Sequence, residues 1–428
     1  MPQPDRHSLR VALLSYRSKP HCGGQGVYVR HLSRELAALG HRVTVFSGQP
    51  YPDLDEGVTL EKIPSLDLYN DTAPFTTPPL SQWRDWIDAL EVTTMWTAGF
   101  PEPLTFSLRM RRELRDRRDE FDVVHDNQTL GYGLLGVRDH GLPLVTTLHH
   151  PITVDRRIEL EQARGWQRLT KRRWYSFVGM QGRVARRLRP VLVPSNSSAD
   201  DIVREFGTSR SALDVVPLGV DTHSFHPHPD LERTPGRIVC VASADSPLKG
   251  IGTLLRAIAK LATERDVSLT IVSKPKPGGP TDQLVDELSL RDRVTFANGM
   301  DDTELGQLLA GAQVAVVPSF YEGFSLPAVE AMACGTPLVA SRAGALPEVV
   351  GDDGDAGRLV PPGDPEELAM AIGALLDDPA ERARMGAAAW QRVQERFTWR
   401  AVAEATAHRY TEAIGQVQAR PVDRSAWL

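Results

Sequence analysis

Residues 313–348 read QVAVVPSFYEGFSLPAVEAMACGTPLVASRAGALPE, and this stretch decides the fold. Val314 to Val317 is a short, continuous apolar run, the pattern of a strand buried on both faces of a parallel sheet. Pro318 ends it. The loop SFYEGF follows, and a helix begins near Ser325 or Leu326 with Pro327 in its first turn, where a missing N–H costs little. Gly335 and Pro337 stop that helix, and Val339 lies in the next short strand. This order of strand, loop and helix sets the amides of Gly323, Phe324, Ser325 and Leu326 at the positive end of a helix dipole, a place that binds phosphate. Glu322 stands just before those amides and Glu330 lies inside the helix. Carboxylates so spaced can accept hydroxyl groups on either side of a diphosphate, ribose at one acid and a hexose at the other. The plain alternative is an ordinary βα unit with two surface acids.

Set in PSFYEGFSLPAVEAMACGTPLVAS, the pair Glu322 and Glu330 resembles the signature of the retaining glycosyltransferases of family 4, which have the GT-B fold. The resemblance implies an α/β protein. Two Rossmann-like β/α/β domains would face each other across a cleft, and a C-terminal helix would cross back to the N-domain. On that pattern residues 1–218 form the acceptor-side domain, 219–398 the nucleotide-sugar-binding domain, and 399–428 the returning helix.

Length and composition agree with such a protein. A chain of 428 residues suggests two to three domains. The net charge of −6 gives no global field that would draw it to nucleic acid, and no nucleic-acid-binding motif is present. No run of about twenty apolar residues predicts a spanning helix, and MPQPDRHSLR lacks an apolar secretory segment. Cys22, Cys240 and Cys334 are far apart, make no metal spacing and fit a reducing cytoplasm. The pairs Asp301-Asp302, Asp352-Asp353 and Asp377-Asp378 sit at turns and caps. None follows a strand as a metal-binding D-x-D would. No metal or other cofactor is therefore expected, only the nucleotide-sugar co-substrate.

In the first half, LRVALLS (9–15) predicts a central strand and the loop YRSKPHCGGQG leads into a helix from about Val27 to Leu39, capped by Gly40. Gly23, Gly24 and Gly26 permit close approach of backbone to a ligand. In the resembled family a GG loop here faces the donor phosphates and the acceptor. The GG-x-x-VYV pattern is most similar to the branch that acts on inositol-type acceptors, but Gly26 stands where that branch often carries a polar residue. Residues 50–107 interleave proline with Tyr69, Phe75, Trp83, Trp86, Trp96, Phe100 and Phe106, reading as a loop-rich insertion that packs its own aromatics or as an acceptor platform. FDVVHDNQ (121–128) and LPLVTTLHHP (142–151) are strands with polar exits, the end at which open α/β sheets bind ligands. His149 matches the family histidine that points at the donor sugar, while Asp126 and His150 are further candidates. The basic segment 156–189 is a solvated helix face or a surface for peripheral contact with the inner face of a membrane.

The domain boundary falls within 218–236, where Leu218 replaces the asparagine usual in the family's linker. GRIVCVAS (236–243) opens a second βαβ series. Lys249-Gly250 sits where the family places a lysine on the donor diphosphate. The arginine common five residues earlier is Ala244 here, and Lys274, or an arginine from elsewhere in the chain, is a candidate to supply its charge. Taken together, these features predict a cytoplasmic, metal-independent retaining glycosyltransferase. It would move a hexose from a UDP- or GDP-sugar to a hydroxyl on a lipid, oligosaccharide or small metabolite. His149, Glu322 and Lys249 are the catalytic candidates. Gly23, Gly24, Gly323, Phe324, Ser325, Leu326 and Glu330 are the donor-binding ones. The competing readings are a nucleotide-sugar epimerase on the same fold and a non-catalytic nucleotide-sugar-binding protein.

Overall fold

The computed structural model describes residues 8–19, 24–70, 72–351 and 354–418. The chain forms two compact units. The first comprises the chain through Pro194, residues 199–216, and the chain from Val402 onward; the second comprises 195–198 and 217–401.

The first unit is built on seven strands: β1 (Arg10–Ser15), β2 (Arg42–Ser47), β3 (Thr59–Lys62), β4 (Val123–Asn127), β5 (Leu144–Thr147), β6 (Val191–Val193) and β7 (Leu213–Val215). They lie in the order β3-β2-β1-β4-β5-β6-β7, every pair parallel. The second unit holds β8 (Arg237–Val241), β9 (Ser268–Val272), β10 (Val294–Ala297), β11 (Val314–Val317), β12 (Leu338–Ser341) and β13 (Arg358–Val360). Their order is β10-β9-β8-β11-β12-β13, again all parallel. Both sheets reverse strand order once, at β1/β4 and at β8/β11. Ligands of open α/β sheets bind beyond the strand ends at such a reversal.

The uninterrupted apolar runs follow from burial on both faces. Ile238 and Cys240 of β8 join one hydrophobic cluster, whereas Val239 joins the other. Val314 and Val316 of β11 divide from Ala315 and Val317 in the same way, as the two-residue period of a strand requires. The last helix, Trp399–Gln418, brings Tyr410 into the first unit, where its ring is fully buried.

Segment 50–107 is more structured than a loop-rich insertion. It contributes β3, which pairs in parallel with β2, the helix Trp86–Trp96, and the start of the helix Glu102–Asp116. Its aromatics divide. Phe106 enters the main core; Tyr69 and Phe100 pack with Trp174 at centroid distances of 5.2–5.3 Å. Phe75, Trp86 and Trp96 remain more than 60 % exposed. The basic run after residue 155 folds as three helices, Thr153–Gln162, Trp166–Trp174 and Ser176–Ala185, of which the third buries Phe177, Val178 and Met180. Among the described residues no helix is long and apolar enough to cross a membrane.

Candidate active site

The reversal at β8/β11 explains why residues 73 positions apart meet. The turn Pro247–Lys249 follows β8, and Glu322 follows β11. Lys249 Nζ donates to Glu322 Oε1 at 2.8 Å, and Ser319 Oγ donates to the same oxygen at 2.7 Å. Glu322 is buried and Lys249 remains 30 % exposed, so the ammonium is anchored on one side and open on the other. Gly250 makes the arrangement possible. Its φ is +66°, and a Cβ there would lie 1.9 Å from the Pro318 carbonyl oxygen. The two turns are further locked by the Phe320 amide donating to the Leu248 carbonyl at 2.8 Å. On the far side of Glu322, its carbonyl accepts from the Ala345 amide at 2.8 Å, and Gly344 leaves room for that approach.

The helix Leu326–Ala333 begins where the sequence predicts, with Pro327 in its first turn. Among the described residues the amides of Gly323, Phe324, Ser325 and Leu326 have no hydrogen-bond partner. Ser325 is held at φ +90°, and its buried Oγ is likewise unpartnered. Backbone held in this sparsely populated region, next to unpaired donors and the positive end of a helix, is characteristic of an anion cradle. Glu330 lies one turn inside, partly buried; its backbone carbonyl accepts from the Cys334 amide at 3.1 Å, while its carboxyl group has no hydrogen bond among the described residues. Burial, with the charge of Asp302 adding to it, pushes its carboxyl up to about 7.

In the first unit the exits of β4 and β5 carry the other candidates. His149 Nε2 meets Asn127 Oδ1 at 2.8 Å, and the His149 amide donates to Gln128 Oε1 at 2.8 Å. Burial, reinforced by His150, pushes the His149 imidazolium down to about 3, so the ring is neutral at physiological pH. His150 is exposed. Asp126 is fully buried; its Oδ2 accepts from the Leu130 amide at 3.1 Å, which closes the turn after β4. Burial pushes that carboxyl up to about 7.

The remaining sequence candidates fare differently from one another. Gly23 and the pair Asp352-Asp353 lie outside the described residues, as does Cys22. The first helix runs Gly24–Ala38, three residues earlier than the apolar pattern alone predicts, so Gly24 and Gly26 belong to its first turn rather than to a loop. Gly26 has a packing reason: a Cβ there would lie 2.1 Å from the Lys19 carbonyl oxygen. Asp301 and Asp378 cap helices, and Asp377 pairs with Arg265. Lys274 is exposed, one residue beyond Ser273, whose Oγ accepts from the Ala244 amide at 2.9 Å. Among the described residues no group of three or more His, Cys, Asp or Glu is gathered as a metal site. Ser319, Asn127, Tyr28, Thr147, His125 and Tyr410 are polar groups at or behind these sites that the sequence reading did not single out.

Comparison with known proteins decides the family. Residues 22–224 match the model described as Glycosyltransferase Family 4, and residues 235–378 the model described as Glycosyl transferases group 1. A MMP α-(1→4)-mannosyltransferase from Mycolicibacterium hassiacum is 57 % identical over 96 % of this chain and 100 % of its own length. The chain belongs to glycosyltransferase family 4. A D-inositol 3-phosphate glycosyltransferase from Catenulispora acidiphila is 30 % identical over 96 % of both chains. Among solved structures, sucrose-phosphate synthase from Thermosynechococcus elongatus superposes with a TM-score of 0.69 at 26 % identity, covering 95 % of this chain and 100 % of its own. The fold is therefore GT-B and the protein a glycosyltransferase, a hexosyl-transferring enzyme. Because the mannosyltransferase aligns over nearly the whole chain, segment 50–107 is shared with it rather than peculiar to this protein.

Proposed function

We propose that this enzyme transfers a mannosyl residue from a UDP- or GDP-linked mannose to a hydroxyl of a saccharide acceptor, forming an α-(1→4) linkage with retention and without a metal ion. The high identity to a mannosyltransferase of that linkage supports the sugar and the bond. The observation that carries the chemistry is the cluster of Lys249, Glu322 and Ser319 beside four unpaired amides. Donors fixed in place before reaction stabilise charge as it develops, which is what a departing nucleoside diphosphate requires. Lys249 and the amides of Gly323 to Leu326 take the diphosphate. Glu330 accepts from the ribose, and Glu322 orients Lys249 and faces the hexose. Neutral His149 offers the sugar a hydrogen-bond partner without adding charge.

With no carboxylate assigned as nucleophile, the acceptor oxygen attacks on the face from which the diphosphate leaves. The C1–O bond to the acceptor forms as the C1–O bond to phosphate breaks, and the departing phosphate oxygen takes the acceptor proton. The test incubates the enzyme with UDP- or GDP-mannose, or the matching glucose donors, and short α-(1→4)-linked manno-oligosaccharides. The expected outcome is elongation from one mannose donor, an α linkage by proton NMR, and no loss in EDTA. Elongation by a glucose donor alone would overturn the sugar assignment; loss in EDTA restored by Mg²⁺ would overturn the metal-free mechanism.

A further inference from the structure

The VYV motif after the glycine turn has no role in the reaction described so far. In the structure its tyrosine, Tyr28, ends a buried polar ladder. Tyr410 OH lies 2.6 Å from His125 Nδ1; His125 Nε2 lies 2.7 Å from Thr147 Oγ1; and Thr147 Oγ1 lies 3.0 Å from Tyr28 OH. All four residues are buried. The Tyr28 ring then meets the His149 ring edge-on, 4.7 Å between centroids at 79°.

Strand register produces this geometry. His125 pairs with Val145 and Asn127 with Thr147, so His125, Asn127 and Thr147 project from one face of the sheet. Each side-chain bond steps forward along the strands, from His125 to Thr147 and from Asn127 to His149. The helix carrying Tyr28 and the last helix carrying Tyr410 close over the rungs.

Asn127 fixes the chemistry at the end of the ladder. Its Nδ2 reaches the Gln25 carbonyl oxygen in a long contact of 3.5 Å, which turns Oδ1 toward His149. An amide oxygen only accepts, so His149 Nε2 carries the proton and Nδ1 carries the lone pair. Among the described residues, the groups that bear on this ring include Tyr28 from the first helix, Asn127 and, one rung behind, His125 from β4, and His150 beside it in the chain.

We propose that Asn127 and Tyr28 directly, and Tyr410 through His125, Thr147 and Tyr28, are positioning residues that hold His149 as its Nε2–H tautomer. The last helix thereby controls the state of a residue at the end of β5. The catalytic weight of this rests on the role assigned to His149 above; the tautomer itself does not.

The test labels the histidines of the full chain with ¹⁵N and identifies the His149 ring signals by their loss in His149→Gln. Between pH 6 and 8 the wild type is expected to show a protonated Nε2 and an unprotonated Nδ1. Asn127→Ala and Tyr410→Phe are expected to show mixed tautomers. Their kcat should fall by about tenfold with donor KM almost unchanged, the signature of lost orientation rather than lost binding. Asn127→Asp sets a carboxylate against Nε2, so it should bring a new inflection into the kcat profile below pH 7 that the wild type lacks. A protonated Nδ1 in the wild type overturns the proposal, as does a fall in kcat with an unchanged tautomer in both variants. Full activity in His149→Gln would instead overturn the role given to His149 and leave the tautomer measurement standing.

Discussion

Glu330→Gln separates what the carboxylate does for binding from what it costs the fold. The Glu330 carboxyl is lifted from 4.5 to about 7, first by burial and then by Asp302. At about 1.4 kcal/mol per decade this amounts to roughly 3 kcal/mol, an upper figure because the side chain is partly exposed. The sign follows from proton counting. Between pH 4.5 and 7 the folded enzyme keeps a proton that the unfolded chain has released, so stability falls as pH rises through that window and levels off above it. Glutamine never ionises and removes this penalty. Ligand-free Glu330→Gln should therefore match the wild type near pH 4 and exceed it at pH 8. The second unit should melt several degrees higher there, about 10 °C at most for a unit of this size. Its response to nucleotide should move the other way. A ligand that binds only the folded state stabilises by its concentration relative to Kd, so the shift induced by UDP or GDP should shrink in the variant if Glu330 accepts from the ribose. The assay is a thermal-shift matrix of pH 4–8 with and without nucleotide, for both proteins. Parallel pH curves would refute the buried-carboxyl argument, and an undiminished nucleotide shift would refute the ribose assignment.

Three other expectations use the same protein. Lys249→Ala should lower transfer by about 100-fold or more, since removing one preorganised donor to developing charge has effects of that order; turnover within about twofold of wild type would remove Lys249 from the mechanism. Gly250→Ala should destabilise by more than about 2 kcal/mol, because the left-handed backbone and the clash with the Pro318 carbonyl both oppose a side chain, and calorimetry showing an unchanged melting temperature would contradict the turn geometry. The helix Trp166–Trp174 exposes Trp166 and Leu169 beside Arg168, Lys171, Arg172 and Arg173, so the enzyme should sediment with anionic vesicles in low salt and less so after Trp166→Ala; equal recovery with neutral vesicles would argue against an electrostatic membrane contact.

The fold was legible because parallel sheets buried on both faces leave a local record. Val314 to Val317 and Leu338 to Ser341 read as strands without any knowledge of their neighbours, and Pro327, Gly335 and Gly250 mark where the chain must turn. Segment 50–107 left no such record. β3 is an edge strand of four residues, none of them buried, so TLEK carries no apolar run to betray it. The helix Trp86–Trp96 buries two acids, Asp88 and Glu91, whose partner Arg109 lies 18–21 residues on. A pattern of apolar spacing cannot register a face whose burial is made tolerable by an ion pair.

The candidate site was legible to the same depth and no further. Glu322, Lys249 and the amides of the following helix sit at element ends, where type and position are local facts. What surrounds the candidate residues, within each unit taken by itself, is set by register between strands and by helices remote in sequence. Ser319 matters only because the turn after β11 folds it back on Glu322. His125 reads as one more strand residue until the helix around Tyr410, 285 residues later, closes on it. Residues of this second kind act through other residues, so no spacing rule within a single stretch can find them; they become visible only when each buried polar atom is asked where its hydrogen bond goes. Asked of Ser325 Oγ and of the amides from Gly323 to Leu326, that question finds no partner within the described chain. Under the function proposed above, these are the donors that would take the diphosphate, and the nucleotide arm of the Glu330→Gln matrix tests that assignment.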